Sequence, residues 1–279
     1  MGEAFFYFTH IVYLFNRLKL LIPINLNPNM MKQFFIVTGI TALILSVWTF
    51  SSATAQNDSQ SQQAVLLFTK TEGFRHQSIP AGIKAIQILA DQNNIRAKHT
   101  EDAEYFHPDS LSGFDGVVFL NTTGDILNNP QQLALKQFIR SGGGFMGIHA
   151  AADTEYGWPW YGKMVGAYFE SHPRVQEATI LVKDYSHPAT SFLESQWIRT
   201  DEWYNYKQIS DHIQVLMELD ESSYEGGANG RHHPIAWYHN FEGGRIFYTG
   251  LGHTVEGYSE PDFLKHLTGG LLFILEDKE

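Results

Sequence analysis

The chain contains no cysteine in 279 residues. Thiolate chemistry is therefore excluded, and the protein must hold together by core burial alone, which this length permits. Positive charge is scarce too: 19 Lys and Arg stand against 30 Asp and Glu, for a net charge of −11. No Lys/Arg cluster offsets that balance, so the surface repels nucleic acid and anionic lipid, and neither is an expected partner. No stretch rich in Pro, Gly or Ser divides the chain, and no internal repeat is found, which argues for one α/β domain. After the first 55 residues no apolar run approaches a membrane span, so the mature form is expected to have no membrane contact.

What is present begins with an address. Met31-Lys32 gives a basic start, Phe34 to Phe50 is mostly apolar, and Ala53-Thr54-Ala55 is a small-x-small site before polar Gln56-Asn57-Asp58-Ser59. That is the grammar of a secretory signal peptide over 31–55. Residues 1–30 read as an upstream extension ahead of the true start; a longer membrane anchor is the other reading of this apolar stretch. Cleavage near Ala55 would send the protein to the periplasm or outside the cell. A polar leader, 56–63, then precedes a domain over 64–279. Losing Arg17, Lys19, Lys32 and Glu3 takes the net charge from −11 to −13.

The periodicities alternate. Ala64 to Thr69 is a short continuous apolar run, as in a strand buried on both faces. Ile79 to Gln92 has apolar residues at 79, 83, 86, 88 and 89, which is helical spacing. Ile95–His99 and Phe114–Asn121 read as strands, Asn129 to Arg140 as a helix with proline in its first turn, and Phe145–Ile148 as a fourth strand. This order predicts parallel pairs joined by right-handed crossovers. Further on, Tyr161–Phe169 reads as a helix, and Ala178–Val182 and Ile213–Leu219 as strands. Pro234–His239 and Arg245–Leu251 read as a hairpin, and Pro261–Leu275 as a closing helix. The expected fold is a three-layer α/β sandwich with a largely parallel sheet and helices on both faces.

Open parallel sheets bind ligands beyond the carboxyl ends of their strands. Gly142 to Asp153, GGGFMGIHAAAD, ends a strand in a tight small-residue turn, the shape of a nucleophile elbow, with His149 where Ser or Cys would stand. Such an imidazole can bind a metal, shuttle a proton, hold a polar ligand, or only donate to a backbone carbonyl. His76 follows the first strand and His253 the last, so three histidines are expected on one rim, a set suited to a divalent metal, zinc or manganese. Asn121 and Asp125 follow the third strand, and Asp153 follows His149. Asp201-Glu202-Trp203-Tyr204-Asn205-Tyr206 sets two carboxylates beside three aromatics, a composition of sugar-handling clefts, and Trp158-Pro159-Trp160-Tyr161 is a second aromatic run ahead of His172-Pro173. Core packing is the alternative for both runs. His232 and His233 are adjacent, so in a strand they face apart and do not share an ion.

Several of these segments, in this order, resemble the ThuA-like (trehalose utilisation) family. They are Phe68–His76, Phe119–Asp125, Gly142–Asp153, Trp158–Tyr161, Asp201–Tyr204, His233–Trp237 and Gly250–Thr254, and the likeness runs from Ala64 onward. The resemblance implies a flavodoxin-like fold related to class I glutamine amidotransferases, with their catalytic cysteine missing. It also implies a role in sugar metabolism beside dehydrogenases that make 3-keto sugars. On that basis the expected partner is a small sugar or glycoside, and a homo-oligomer is compatible with it. One reading is an enzyme, a lyase, hydrolase or isomerase. In it His76, His149 and His253 hold the metal and His149, Glu202 and Asp201 are catalytic, with Glu202 or Asp201 as base. Asn121, Asp125, Asp153, Trp158, Trp203 and Tyr204 bind substrate. The other is a carbohydrate-binding or interaction module that has lost its chemistry.

Overall fold

The computed structural model describes residues 62–276. The upstream extension 1–30, the signal peptide 31–55 and all but the last two residues of the leader lie outside the described residues. The chain enters the fold at β1 (Ala64–Phe68), every residue of which is buried, as a continuous apolar run requires. Helix α1 (Ile79–Gln92) carries Pro80 in its first turn and buries Ile79, Ala85, Ile86 and Leu89 on one stripe. Strand β2 (Arg96–Thr100) is a half-exposed edge, and a short helix α2 (Pro108–Leu111) leads to the fully buried β3 (Gly116–Leu120). Helix α3 (Asn129–Arg140) opens with a capping box between Asn128 and Gln131. Strand β4 (Gly144–Ile148) follows, again buried throughout.

After β4 the order changes. Helix α4 (Pro159–Val165) stops at Gly166, whose φ of +102° ends the turn left-handed. A Cβ there would lie 2.6 Å from the Trp237 indole nitrogen. The helix read over Tyr161–Phe169 therefore gives way to strand β5 (Tyr168–Ser171). Next come β6 (Gln176–Val182), β7 (Gln196–Asp201), β8 (Asn205–Lys207), β9 (Gln214–Leu219), β10 (Pro234–Phe241), β11 (Gly244–Thr249) and helix α5 (Pro261–Leu275). Strands β5, β7 and β8 were not among the expected elements.

One nine-stranded sheet has the order β2-β1-β3-β4-β11-β10-β9-β6-β7, and β5 pairs with β8 in a small separate sheet. The run β2-β1-β3-β4-β11 is parallel, and the run from β11 to β7 is antiparallel. The core of the fold is thus the expected parallel α/β layer, extended by an antiparallel half. Because β1 to β2 steps one way along the sheet and β3 to β4 the other, right-handed crossovers put α1 and α3 on opposite faces. Helix α5 packs beside α1, and Lys136 of α3 lies over Trp160 of α4. Phe68, Phe119, Phe145 and Tyr161 fill the space under α3 with full burial, each contributing about 1.5–3 kcal/mol.

The antiparallel half does not lie flat. Four strand spacings separate β7 from β11, about 19 Å in a flat sheet. Yet Asp201 at the end of β7 accepts hydrogen bonds from the Gly252 and His253 amides just past β11. Arg199 of β7 also lies 4.6 Å from the Phe263 ring of α5. The sheet curls over α5 and brings the β7 end back to the carboxyl rim of the parallel strands.

Candidate metal centre

That curl assembles one cluster on the rim. His76 comes from the loop after β1, His149 from the turn after β4, His253 from the loop after β11, and Glu202 from the residue after β7. Each offers one ligand atom, and the four atoms lie within 4.8 Å of one another. His149 Nε2 is 3.4 Å from Glu202 Oε2, His253 Nδ1 is 3.1 Å from the same oxygen, and the two nitrogens are 3.3 Å apart. Ligands 2.0–2.1 Å from a tetrahedral ion stand about 3.3 Å apart, so this triangle has the edge of a metal coordination shell.

His149 is fully buried and sits at φ +49°, the left-handed conformation of an elbow. Its Nδ1–H donates to the Gly250 carbonyl at 2.8 Å. This fixes the tautomer and leaves the Nε2 lone pair aimed at His253 and Glu202. The backbone-carbonyl role and the metal-facing role expected for this residue are thus compatible. His76 is pushed down to about 3 by burial first, then by His149 and His253, and is held neutral as a ligand must be. Its Nδ1 is buried with no hydrogen-bond partner, a cost of about 1–3 kcal/mol that a bound cation would relieve. Burial pushes Glu202 up, but the His149 and His253 rings beside it outweigh that and hold the carboxylate well below its usual range. Burial lowers His253, and the Glu202 hydrogen bond and charge raise it further than that. Three imidazoles and one carboxylate suit zinc or manganese.

The surrounding residues fix this geometry. Asp201 Oδ1 accepts from the Glu202 and His253 amides at 3.0 and 3.1 Å, and Oδ2 from Gly252 at 2.9 Å. Arg199, buried between the Trp197 and Phe263 rings, is ion-paired to Oδ2 at 3.2 Å. With both oxygens committed, Asp201 holds the loop of His253 and is not a free base. Asn121 is fully buried, and its amide donates to Ser78 Oγ and the Gly252 carbonyl, tying the His76 and His253 loops together. Its nitrogen is thus committed to the scaffold, while its Oδ1 is buried without a hydrogen-bond partner. The Tyr204 ring lies 4.1 Å from His149, and its backbone carbonyl accepts from His233 Nε2 at 2.8 Å. Asp153 accepts from the Tyr156 hydroxyl at 2.7 Å; burial raises it above the usual range, against the charges of His149, Lys207 and His172.

Three expected substrate residues lie elsewhere. Trp203 is fully buried and its indole donates to the Gln176 carbonyl, so it offers no face to a ligand. Trp158 stacks on Trp160, whose indole donates to Glu242 in the hairpin turn at the far end of β10 and β11. Asp125 is exposed, and its charge acts on Glu155 and Tyr168, not on the cluster. Glu202, expected outside the ligand set as a base, stands within it.

No role was expected for His172, whose Nδ1 is 3.0 Å from Glu202 Oε1. The histidine had been noticed beside its proline, but reading β5 as helix hid its place next to Tyr204, 6.1 Å between rings. Phe169, 4.3 Å from Tyr204, completes that wall. Two cavities, of 320 and 510 Å³, lie away from the cluster, against Phe138 and Gly143 and against Lys163 and His212.

Residues 64–274 match the ThuA family, described as trehalose utilisation. No curated protein matches the chain. Among solved structures, a ThuA-like protein from Bacteroides uniformis superposes with TM-score 0.66 at 21% identity, over 76% of this chain and 91% of that one. A ThuA-like protein from Parabacteroides merdae gives 0.62 at 18%, over 76% and 90%. A cytoplasmic protein from Salmonella typhimurium gives 0.57 at 12%, over 77% and 100%. At these identities the likeness establishes the fold.

Proposed function

Because the chain belongs to the ThuA (trehalose utilisation) family, we propose that it is a sugar-directed enzyme acting on a glycoside or 3-keto-glycoside at a divalent metal centre. Membership supports a carbohydrate-related role. The chemistry rests on one observation: four separate segments deliver His76, His149, Glu202 and His253 to one point, with ligand atoms within 4.8 Å. Zinc or manganese fits these donors. When bound, the ion would polarise a carbonyl oxygen of the sugar and stabilise the negative charge that develops on it.

The remaining work falls to the chain's own residues. Glu202 faces the cluster through Oε2, and its Oε1 lies 3.0 Å from His172 Nδ1, whose proton is donated to the Pro173 carbonyl at 2.9 Å. With its proton on Nδ1, the half-exposed His172 presents a bare Nε2, which makes it the proton acceptor. A ketone at C3 acidifies the C2 hydrogen. His172 removes that proton, the C1–oxygen bond breaks with its electron pair on the departing oxygen, and that oxygen is then protonated. The products are an enone sugar and a free alcohol. Phe169, packed on the buried Tyr204 whose ring lies 4.1 Å from His149, flanks the reacting ring. Hydrolysis by two free carboxylates is less favoured, since Asp201 has no free oxygen.

Incubation with native and 3-keto disaccharides, with and without a chelator, tests the proposal. Chelator-sensitive release of an enone and an alcohol supports it; binding without turnover of any sugar supports the non-catalytic module instead. Export with cleavage near Ala55 is part of the proposal, and the first residue of the mature protein, expected at Gln56, checks it.

A further inference from the structure

We infer that Phe74 is a stacking platform for a second sugar ring, so that the site takes a neutral glycoside of at least two rings in preference to a monosaccharide. The inference rests on the functional reading above. Phe74 is 65% exposed, the highest value among the described large apolar residues. Its ring is perpendicular to that of His76, centroids 4.9 Å apart at 88°, so it touches the cluster directly while most of the side chain stays in solvent.

This side chain does not sit on a loose tip. The Phe74 carbonyl accepts from Thr123 Oγ1 at 2.9 Å, the Gly73 amide donates to the same hydroxyl at 3.2 Å, and the Glu72 amide donates to the Thr123 carbonyl at 2.8 Å. Gly124, at φ +77°, packs against Glu72 and Gly73, where a side chain would crowd them. A loop fastened on this many sides while leaving a phenyl ring in water holds that ring ready for an apolar partner.

Charge selects the partner. The two cations of the loop are already paired, Lys70 to Glu72 at 3.0 Å and Arg75 to Glu101 at 2.6 Å. Neither is left for a phosphate or carboxylate, and Glu72 and Glu101 repel one. A neutral ring with an apolar face and polar edges, a pyranose, meets both conditions. Phe169, against the buried Tyr204, stands on the His149 and His172 side of the cluster and Phe74 on the His76 side, one aromatic side chain for each ring.

Calorimetry with α- and β-linked glucose disaccharides, and with methyl glucoside as the one-ring probe, tests this. The wild type should bind a disaccharide about tenfold more tightly than methyl glucoside. Phe74→Ala should remove that advantage with metal content and melting temperature unchanged, and Phe74→Trp should restore it. If Phe74→Ala weakens both probes equally or neither, or if the wild type binds both equally, the second-ring platform is wrong while sugar binding stands. If the wild type binds no sugar at all, this inference falls together with the proposed function.

Discussion

Asp201 and Glu202 are neighbours in the chain and turn their carboxylates to opposite tasks: Asp201 inward onto the Gly252 and His253 amides, Glu202 outward between His149 and His253. One residue fixes the loop that the other must meet. Asp201→Ala removes the acceptor of three amide N–H groups and leaves the Arg199 guanidinium, whose side chain is only 2% exposed, without its nearest carboxylate. The expected loss is about 3–5 kcal/mol of stability, read as a shift in the urea midpoint. A loss under about 1 kcal/mol would mean that the buried pair does not hold the loop.

His253→Ala should separate binding from folding. The side chain is partly exposed and contributes little apolar burial, so stability should change by less than about 1 kcal/mol. Metal affinity should fall by about a hundredfold or more, measured by competition with a coloured chelator. Unchanged affinity would remove His253 from the ligand set.

His172→Gln should do the reverse of a ligand substitution. Metal content is expected to stay intact while turnover of a 3-keto-glycoside falls by about 10²–10⁴. Full turnover in this variant would return the base role to another group.

The parallel half of the fold was legible because its signals are local. Ile79–Gln92 and Pro261–Leu275 emerge as helices with the expected bounds, each marked by a proline in the first turn, and β1, β3 and β4 are short apolar runs. The three rim histidines were legible by topology, since each follows a parallel strand. The metal-ligand position of Glu202 was not. It depends on the curl that carries β7 across four strand spacings, a property of twist and packing with no periodicity in the sequence. Trp203 and Tyr204 show the limit of composition: adjacent aromatics in one polar run, the first is core and the second lies against His149. His172 was hidden by Gly166, whose left-handed turn ends the helix before the strand that places the histidine.

Acid should unfold the metal-free protein through its buried histidines. Burial pushes His76 down to about 3, His187 to about 4 and His266 to about 3. Below their unfolded value of about 6.5 the unfolded chain takes up protons that the folded chain refuses. Their stability contribution is therefore complete above that pH and lost as pH falls toward 4, by about 1.4 kcal/mol per pH unit for each group. His253, raised in the fold, keeps its contribution throughout this acid range and loses it only as pH rises. Melting temperatures between pH 7.5 and 4.5 in the presence of chelator should fall steeply below about 6; a flat profile would show that these imidazoles titrate freely.

The central claim is that His76, His149, Glu202 and His253 form one metal site, and metal analysis of the protein tests it most directly. Protein stripped by chelator and dialysed against equimolar zinc and manganese should retain one ion per chain. The same treatment of a His149→Ala, His253→Ala double variant should retain none. Wild-type protein that retains no ion, or a double variant that retains as much as the wild type, would contradict the account.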